Sequence, residues 1–204
     1  MSSDGTRWHQ LTGGTSGEEY AARFARLAAS GQDPHGEATF VDGITAPGSR
    51  VLDAGCGTGR VAVRLAELGH RCVGVDVDSS MLAVARREAP DISWVEGDLA
   101  DLPAGVRDAA PYDVVVLAGN VVPLLAEGTL PAVMRGMADL LAPGGLLVAG
   151  FGLDAAHLPR GCPVTPLADY DAATAGLQPV DRFSTRQAAP FDPSAGYAVS
   201  VHRR

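Results

Sequence analysis

Arg50-Val51-Leu52-Asp53-Ala54-Gly55-Cys56-Gly57-Thr58-Gly59-Arg60 is the stretch on which the fold turns. A short apolar run, Val51-Leu52, ends in an acid, Asp53. Three glycines follow at alternate positions, Gly55, Gly57 and Gly59, and a helical apolar pattern begins at Val61. Strand, glycine turn and helix in this order bring backbone close to a ligand.

Working outward, strand and helix patterns alternate. Arg50 to Asp53 reads as the first strand, and Val61 to Leu68 as a helix with Val61, Leu65 and Leu68 on one face. Arg71 to Asp76, Ile92 to Val95, Tyr112 to Leu117 and Leu146 to Phe151 read as further strands. Ser79 to Glu88 and Thr129 to Leu141 read as the helices among them. Tyr112 to Leu117 is nearly all apolar, as a strand buried on both faces requires. Alternation of this kind implies a parallel sheet with right-handed crossovers. Later, Ala168 to Ala175 reads as a helix, and Val180 to Ser184 and Tyr197 to His202 as a closing strand pair.

Ahead of the glycine turn, Met1 to Thr15 is polar and is expected to be loose. Ser16-Gly17-Glu18-Glu19 fits a capping box. Asp33-Pro34 looks like a second helix start, with Phe40, Val41 and Ile44 on its buried side.

With 204 residues, 46% hydrophobic and 20% charged, the chain suits an ordinary globular domain. A formal charge of −8 argues against nucleic acid as the main partner, because phosphate binding needs a basic face. Cys56, Cys72 and Cys162 are too few and too scattered for a disulfide framework or a zinc knuckle. Their odd number, without a signal peptide, points to the reducing cytoplasm. Val114 to Ala126, the longest apolar stretch, is too short to span a bilayer, so no membrane partner is expected. The expected state is a monomer or a homodimer.

Ligands of open α/β sheets sit at the carboxyl ends of strands. The polar residues there are Asp53, Asp76, Asp98 and Asn120. An acid ending the second strand suits a ribose diol, since a carboxylate accepts from both hydroxyls. Asp76 holds that place, and Asp78, two residues on, competes for it. The ligand is therefore expected to be a nucleoside. The dinucleotide pattern Gly-x-Gly-x-x-Gly is not met, because the sixth position from Gly55 is Arg60. Nor does a lysine follow the glycines as in a phosphate loop; the chain has no lysine at all.

Val51-Leu52-Asp53-Ala54-Gly55-Cys56-Gly57-Thr58-Gly59 resembles the S-adenosylmethionine loop of class I methyltransferases. Val73-Gly74-Val75-Asp76 with Ser79-Ser80-Met81-Leu82 is similar to that family's second-strand signature, and Glu96-Gly97-Asp98-Leu99 to the segment that meets the adenine. Tyr112-Asp113-Val114-Val115 and Leu141-Ala142-Pro143-Gly144-Gly145 resemble its fourth strand and the turn before its fifth. The matches run from about Val51 to Phe151, roughly half the chain.

The resemblance implies a doubly wound, mostly parallel seven-stranded sheet with helices on both faces and an antiparallel last strand. It implies an N-terminal helical cap over 1–46 and a cofactor domain over 47–204. S-adenosyl-L-methionine is the implied cofactor, with no metal. Gly55, Gly57 and Gly59 would let backbone approach its methionine and ribose portions, with Cys56 a small filler in that loop. Asp53 would orient the amino group, directly or through water, Asp76 the ribose hydroxyls, and Val77 would pack on the adenine, with Met81 also among the cofactor contacts. Asp98 would accept from the adenine amino group beside the Leu99 backbone. Asn120 would contact the methionine amino group, or only cap the turn after its strand.

The implied activity is methyl transfer to a small-molecule acceptor. A nicotinamide-dependent oxidoreductase and a non-enzymatic cofactor-binding module are the alternatives. Methyl transfer from a sulfonium needs alignment and exclusion of water, and a base only where the acceptor must lose a proton. Acceptor contacts are expected from Trp8, His9, Tyr20 and Phe24, from the loop after Asn120, and from Asp154, His157, Arg160 and Tyr170. His157 is the candidate general base by type and place, its rival reading being an exposed loop histidine.

Overall fold

A computed structural model of the chain describes residues 7–12, 16–31 and 33–204. Its sheet is built outward from β1 (Arg50–Ala54), flanked by β2 (Arg71–Asp76) and β4 (Tyr112–Leu117). Outside these lie β3 (Ser93–Glu96) on one side and β5 (Leu141–Gly152), β7 (Tyr197–Arg203) and β6 (Gln178–Phe183) on the other, in the order β3-β2-β1-β4-β5-β7-β6. The first five strands pair in parallel, and β7 runs antiparallel to both β5 and β6. The expected architecture is thus the observed one.

Nine α-helices are described: α1 (Arg7–Thr12), α2 (Gly17–Ala29), α3 (Gly36–Ile44), α4 (Arg60–Glu67), α5 (Ser79–Glu88), α6 (Ala104–Arg107), α7 (Val121–Leu124), α8 (Leu130–Leu140) and α9 (Leu167–Ala173). The central strands feed two cores because side chains alternate across the sheet. Leu52, Val115, Leu117, Leu147 and Phe151 pack under Val133, Met134 and Met137 of α8 and Tyr170 of α9. Val51, Val114, Val116 and Val148 pack against Ala38 and Val41 of α3 and Val61 and Leu65 of α4. This two-sided burial accounts for the unbroken apolar run in β4. The strand order reverses between β1 and β4, where a ligand crevice opens.

Ser16 and Glu19 form the expected capping box: the Glu19 amide donates to the Ser16 hydroxyl, and the Ser16 amide donates to the Glu19 carboxylate at 3.0 Å. Elsewhere the helix ends depart from expectation. Met1 to Thr15 was expected to be loose; its described part forms α1, held by Arg7 Nη1 donating to the Pro123 carbonyl at 3.0 Å. The rest of that segment lies outside the described residues. The helix expected from Asp33-Pro34 begins only after His35, and the Asp33 carboxylate accepts from the His35 amide at 2.8 Å in the turn before it. Ile44 and Leu68, expected on buried faces, lie at helix ends and are 38% and 37% exposed. No described helix is long and apolar enough to cross a membrane.

Candidate functional site

A cleft opens over the carboxyl ends of β1, β2 and β4, with about 1050 Å³ of atom-free space counting its mouth. Its walls include Asp53, Gly55, Cys56, Gly57, Asp76, Val77, Met81, Asp98 and Leu99, all expected at the site.

The glycine turn is tied to β2: the Gly55 and Cys56 amides both donate to the Val75 carbonyl, at 2.8 and 3.0 Å. A Cβ on Gly55 would stand 2.6 Å from the Val121 side chain, so any side chain there would close the passage between β1 and α7. Gly59 does not line the cleft. It caps α4 with φ +82°, and a Cβ on it would stand 2.4 Å from the Trp94 ring. Gly74 meets the same ring, at 2.3 Å. The indole packed behind the loop leaves no room for a side chain at either position, and at Gly59 the positive φ favours glycine as well.

Asp53 is only 2% exposed. One carboxylate oxygen accepts from the Ala62 amide in the first turn of α4 at 3.1 Å, yet burial still raises its pKa to about 7. At Asp76, Oδ2 accepts from the Gly57 amide at 2.7 Å and Oδ1 from the Asp78 amide at 2.9 Å. Burial again raises its pKa. Each oxygen has a second lone pair, so both can also accept from a ligand. Asp78 is committed otherwise. Its Oδ1 caps α5 through the Ser80 and Met81 amides, and its Oδ2 accepts from the Trp8 indole at 3.3 Å. The geometry thus leaves Asp76, not Asp78, facing the cleft.

Asp98 lines the cleft with Oδ1 accepting from the Ala100 amide at 2.9 Å. Cys56 is 8% exposed, and burial pushes its thiol well above the ordinary range, which suits a filler and not a nucleophile. Trp8 and Tyr20 form the outer wall, ring to ring at 5.7 Å, with Phe24 behind Tyr20 at 5.0 Å. Among the described residues, no group of three or more His, Cys, Asp or Glu could hold a metal.

Asn120 and His157, like Gly59, do not line the cleft. Asn120, in the left-handed region at φ 72°, donates to the His157 carbonyl at 3.0 Å and accepts from the Gly152 amide at 2.7 Å. Its side chain joins the loops after β4 and β5, while its neighbours Gly119 and Val121 line the cleft. His157 does not line the cleft either. It is 44% exposed, with Nδ1 2.8 Å from the Asp154 carboxylate. Asp154 is held below its usual range by that hydrogen bond. Arg160 and Tyr170 are also absent from the walls; Tyr170 is fully buried against Phe151.

Three residues passed over in the sequence matter here. Trp94 backs the glycine turn, Leu124 closes one wall, and Arg60 faces the cleft from the first position of α4. A cation directly after the glycine turn, at the first position of α4, was the available signal for Arg60.

A family model described as a methyltransferase domain matches residues 51–145. The crystal structure of a TehB-like SAM-dependent methyltransferase from Corynebacterium glutamicum is 31% identical with a TM-score of 0.81, covering 91% of this chain and 96% of that one. A ubiquinone biosynthesis O-methyltransferase from Ruegeria pomeroyi is 31% identical over 207 residues, which span 79% of this chain and 82% of the relative. The chain belongs to the S-adenosylmethionine-dependent methyltransferases. The family is that of the expected resemblance and not of the nicotinamide alternative. A further relative, the cypemycin N-terminal methyltransferase of a Streptomyces species, is 39% identical over 101 residues, 48% of this chain and 40% of that relative. The chain spans about half the length of several curated relatives, 57% of one methyltransferase from Synechocystis and 40% of the Streptomyces protein.

Proposed function

We propose that this methyltransferase-family chain moves the methyl group of S-adenosylmethionine to a small-molecule acceptor. The observation that carries the reading is Asp76, a half-buried carboxylate at the end of β2 that lines the cleft and whose two oxygens are each fixed by one backbone amide. That arrangement presents two aligned acceptors to a ribose diol. Asp98 accepts from the adenine amino group, Val77, Met81 and Leu99 pack on the ring, and Gly55 and Gly57 admit the chain beyond the ribose. When bound, the cofactor supplies an activated methyl on a good leaving group. The protein's task is to align the acceptor and exclude water, and Trp8 and Tyr20 on the cap over 1–46 serve the second part. A small acceptor fits the name of the Ruegeria relative and the net charge of −8.

Isothermal titration with S-adenosylhomocysteine and, separately, with NAD tests the reading. The first should bind and the second should not; a protein that takes up no S-adenosylhomocysteine is not this enzyme. Asp76→Ala removes two charge-assisted hydrogen bonds and is expected to cost on the order of 2–4 kcal/mol of affinity. An unchanged dissociation constant would reject the ribose assignment. Labelled cofactor incubated with cell extract then reveals the acceptor.

A further inference from the structure

Asp78 does not line the cleft, yet three parts of the molecule meet on it. Its amide donates to Asp76 Oδ1 at 2.9 Å and so fixes one oxygen of the acid that does. Its own Oδ1 caps α5, accepting from the Ser80 and Met81 amides at 2.9 and 3.3 Å. The same oxygen accepts from the Ser80 hydroxyl at 2.7 Å. That hydroxyl in turn accepts at 3.1 Å from the amide of Gly17, the first residue of α2. Its Oδ2 accepts from the Trp8 indole of α1 at 3.3 Å. Both α1 and α2 are therefore tied to one carboxylate, and the backbone of that residue holds Asp76. Asp78 is 8% exposed, so water competes little for these bonds.

Packing runs along the same line. A Cβ on Gly17 would stand 2.3 Å from the Ser80 carbonyl oxygen and 2.9 Å from Met81 Cα, so α2 lies directly on the first turn of α5. Val77 and Met81, before and within that turn, line the cleft, and Trp8 and Tyr20 line it from α1 and α2. A ligand that bonds to Asp76 and packs on Val77 and Met81 thus steadies the very turn on which α1 and α2 are anchored. The remaining tie, between Glu18 and Arg87, joins side chains that are 67% and 53% exposed, where an ion pair contributes little.

We propose that Asp78 is a positioning residue that couples α1 and α2 to the cofactor. A nucleoside held by Asp76 tightens their hold on α5, and their docking raises the affinity for the nucleoside by the same factor. This rests on the cofactor reading above and adds to it a route between the ribose acid and the helices over the cleft.

Hydrogen exchange of the α2 amides, read by mass spectrometry on the full chain with and without saturating S-adenosylhomocysteine, tests the coupling, with calorimetry alongside. Asp78→Asn keeps an oxygen for the Ser80 and Met81 amides and turns the acceptor facing Trp8 into a donor. Trp8→Phe removes the indole N–H from the other side. Arg87→Gln cuts only the exposed tie. Ligand should slow α2 exchange about ten-fold or more in the parent chain and in Arg87→Gln. In Asp78→Asn and Trp8→Phe it should slow α2 by less than about three-fold, and the dissociation constant should rise on the order of 3- to 30-fold. Without ligand, α5 should exchange in both as it does in the parent. Protection of α2 in Asp78→Asn equal to that of the parent would overturn the coupling and leave the cofactor reading standing, as would a parent that binds the ligand without slowing α2. So would loss of α5 protection in Asp78→Asn with Trp8→Phe behaving as the parent, because the effect would then be that of a lost helix cap. An unmutated chain that takes up no S-adenosylhomocysteine overturns the cofactor reading, and this proposal with it.

Discussion

Asp53→Asn is expected to stabilise the cofactor-free protein at pH 8 and, at the same pH, to weaken cofactor binding. Asp53 is buried under the glycine turn, and burial raises its pKa from 3.8 to about 7. The folded state therefore holds the proton more tightly than the unfolded state. The sign follows from linkage: no penalty exists below about pH 4, the penalty grows between about pH 4 and 7, and it is complete above that. Three pKa units correspond to an upper limit of about 4 kcal/mol. Asparagine can still accept from the Ala62 amide and carries no charge to desolvate. For a domain of this size the gain amounts to roughly 5–15 °C in melting temperature. Thermal unfolding of both proteins at pH 8 and pH 5 checks it. The variant should melt higher at pH 8 with the gap narrowing at pH 5; a constant gap, or none at pH 8, rules the account out. Binding behaves oppositely. A methionyl ammonium needs the ionised acid, so affinity of the parent chain should fall as pH drops below about 7, and that pH dependence should shrink in the asparagine variant to what Asp76 contributes.

Trp94→Ala is expected to cost about 3–5 kcal/mol of stability and to loosen the cofactor loop at the same time. Trp94 is 9% exposed, and its indole N–H donates to the Ala89 carbonyl at 2.8 Å. Its ring fills the space that side chains at Gly59 and Gly74 would need, and it clusters with Cys56, Ala62, Leu82 and Ala85. Removing it hollows out the floor beneath the turn between β1 and α4, where Cys56 is the cleft-lining residue of its cluster. Urea unfolding with a parallel S-adenosylhomocysteine titration measures both effects. Stability lost with unchanged affinity would show that the turn keeps its shape without the ring. A loss under about 1 kcal/mol would show that the site collapses around the gap. Trp94→Phe, which keeps an aromatic ring there, should recover much of both.

Several residues announced themselves locally. The capping box at Ser16 and Glu19, the apolar strands and the acid ending β2 each depend on neighbours a few positions away, and the structure has each of these elements. The parts that could not be read depend on contacts distant in the chain. Nothing near Gly59 in the sequence announces the Trp94 ring packed behind it. Asp76 and Asp78 have the same side chain two positions apart; only the helix cap and the Trp8 indole tell them apart. Asn120 and His157 lie in loops over the expected edge, but strand order says nothing about which way a loop side chain turns. Here Asn120 serves the backbone of the neighbouring loop and His157 pairs with Asp154 at the surface. Arg60 makes sense only once Glu37, Pro34 and Phe24 have been carried to it from two other helices.

The strand order also bears on how the chain is made. β7 lies between β5 and β6, so the long apolar strand Leu141–Gly152 pairs on its far side with Tyr197–Arg203. On the ribosome that side of β5 has no partner until more than forty further residues have been translated and threaded into place. A nascent chain at that stage presents an unpaired edge of Leu146, Leu147, Val148 and Phe151 to its surroundings. Arrest of translation shortly before Tyr197 therefore creates a species that calls for a chaperone, although its cofactor cleft is already complete in sequence.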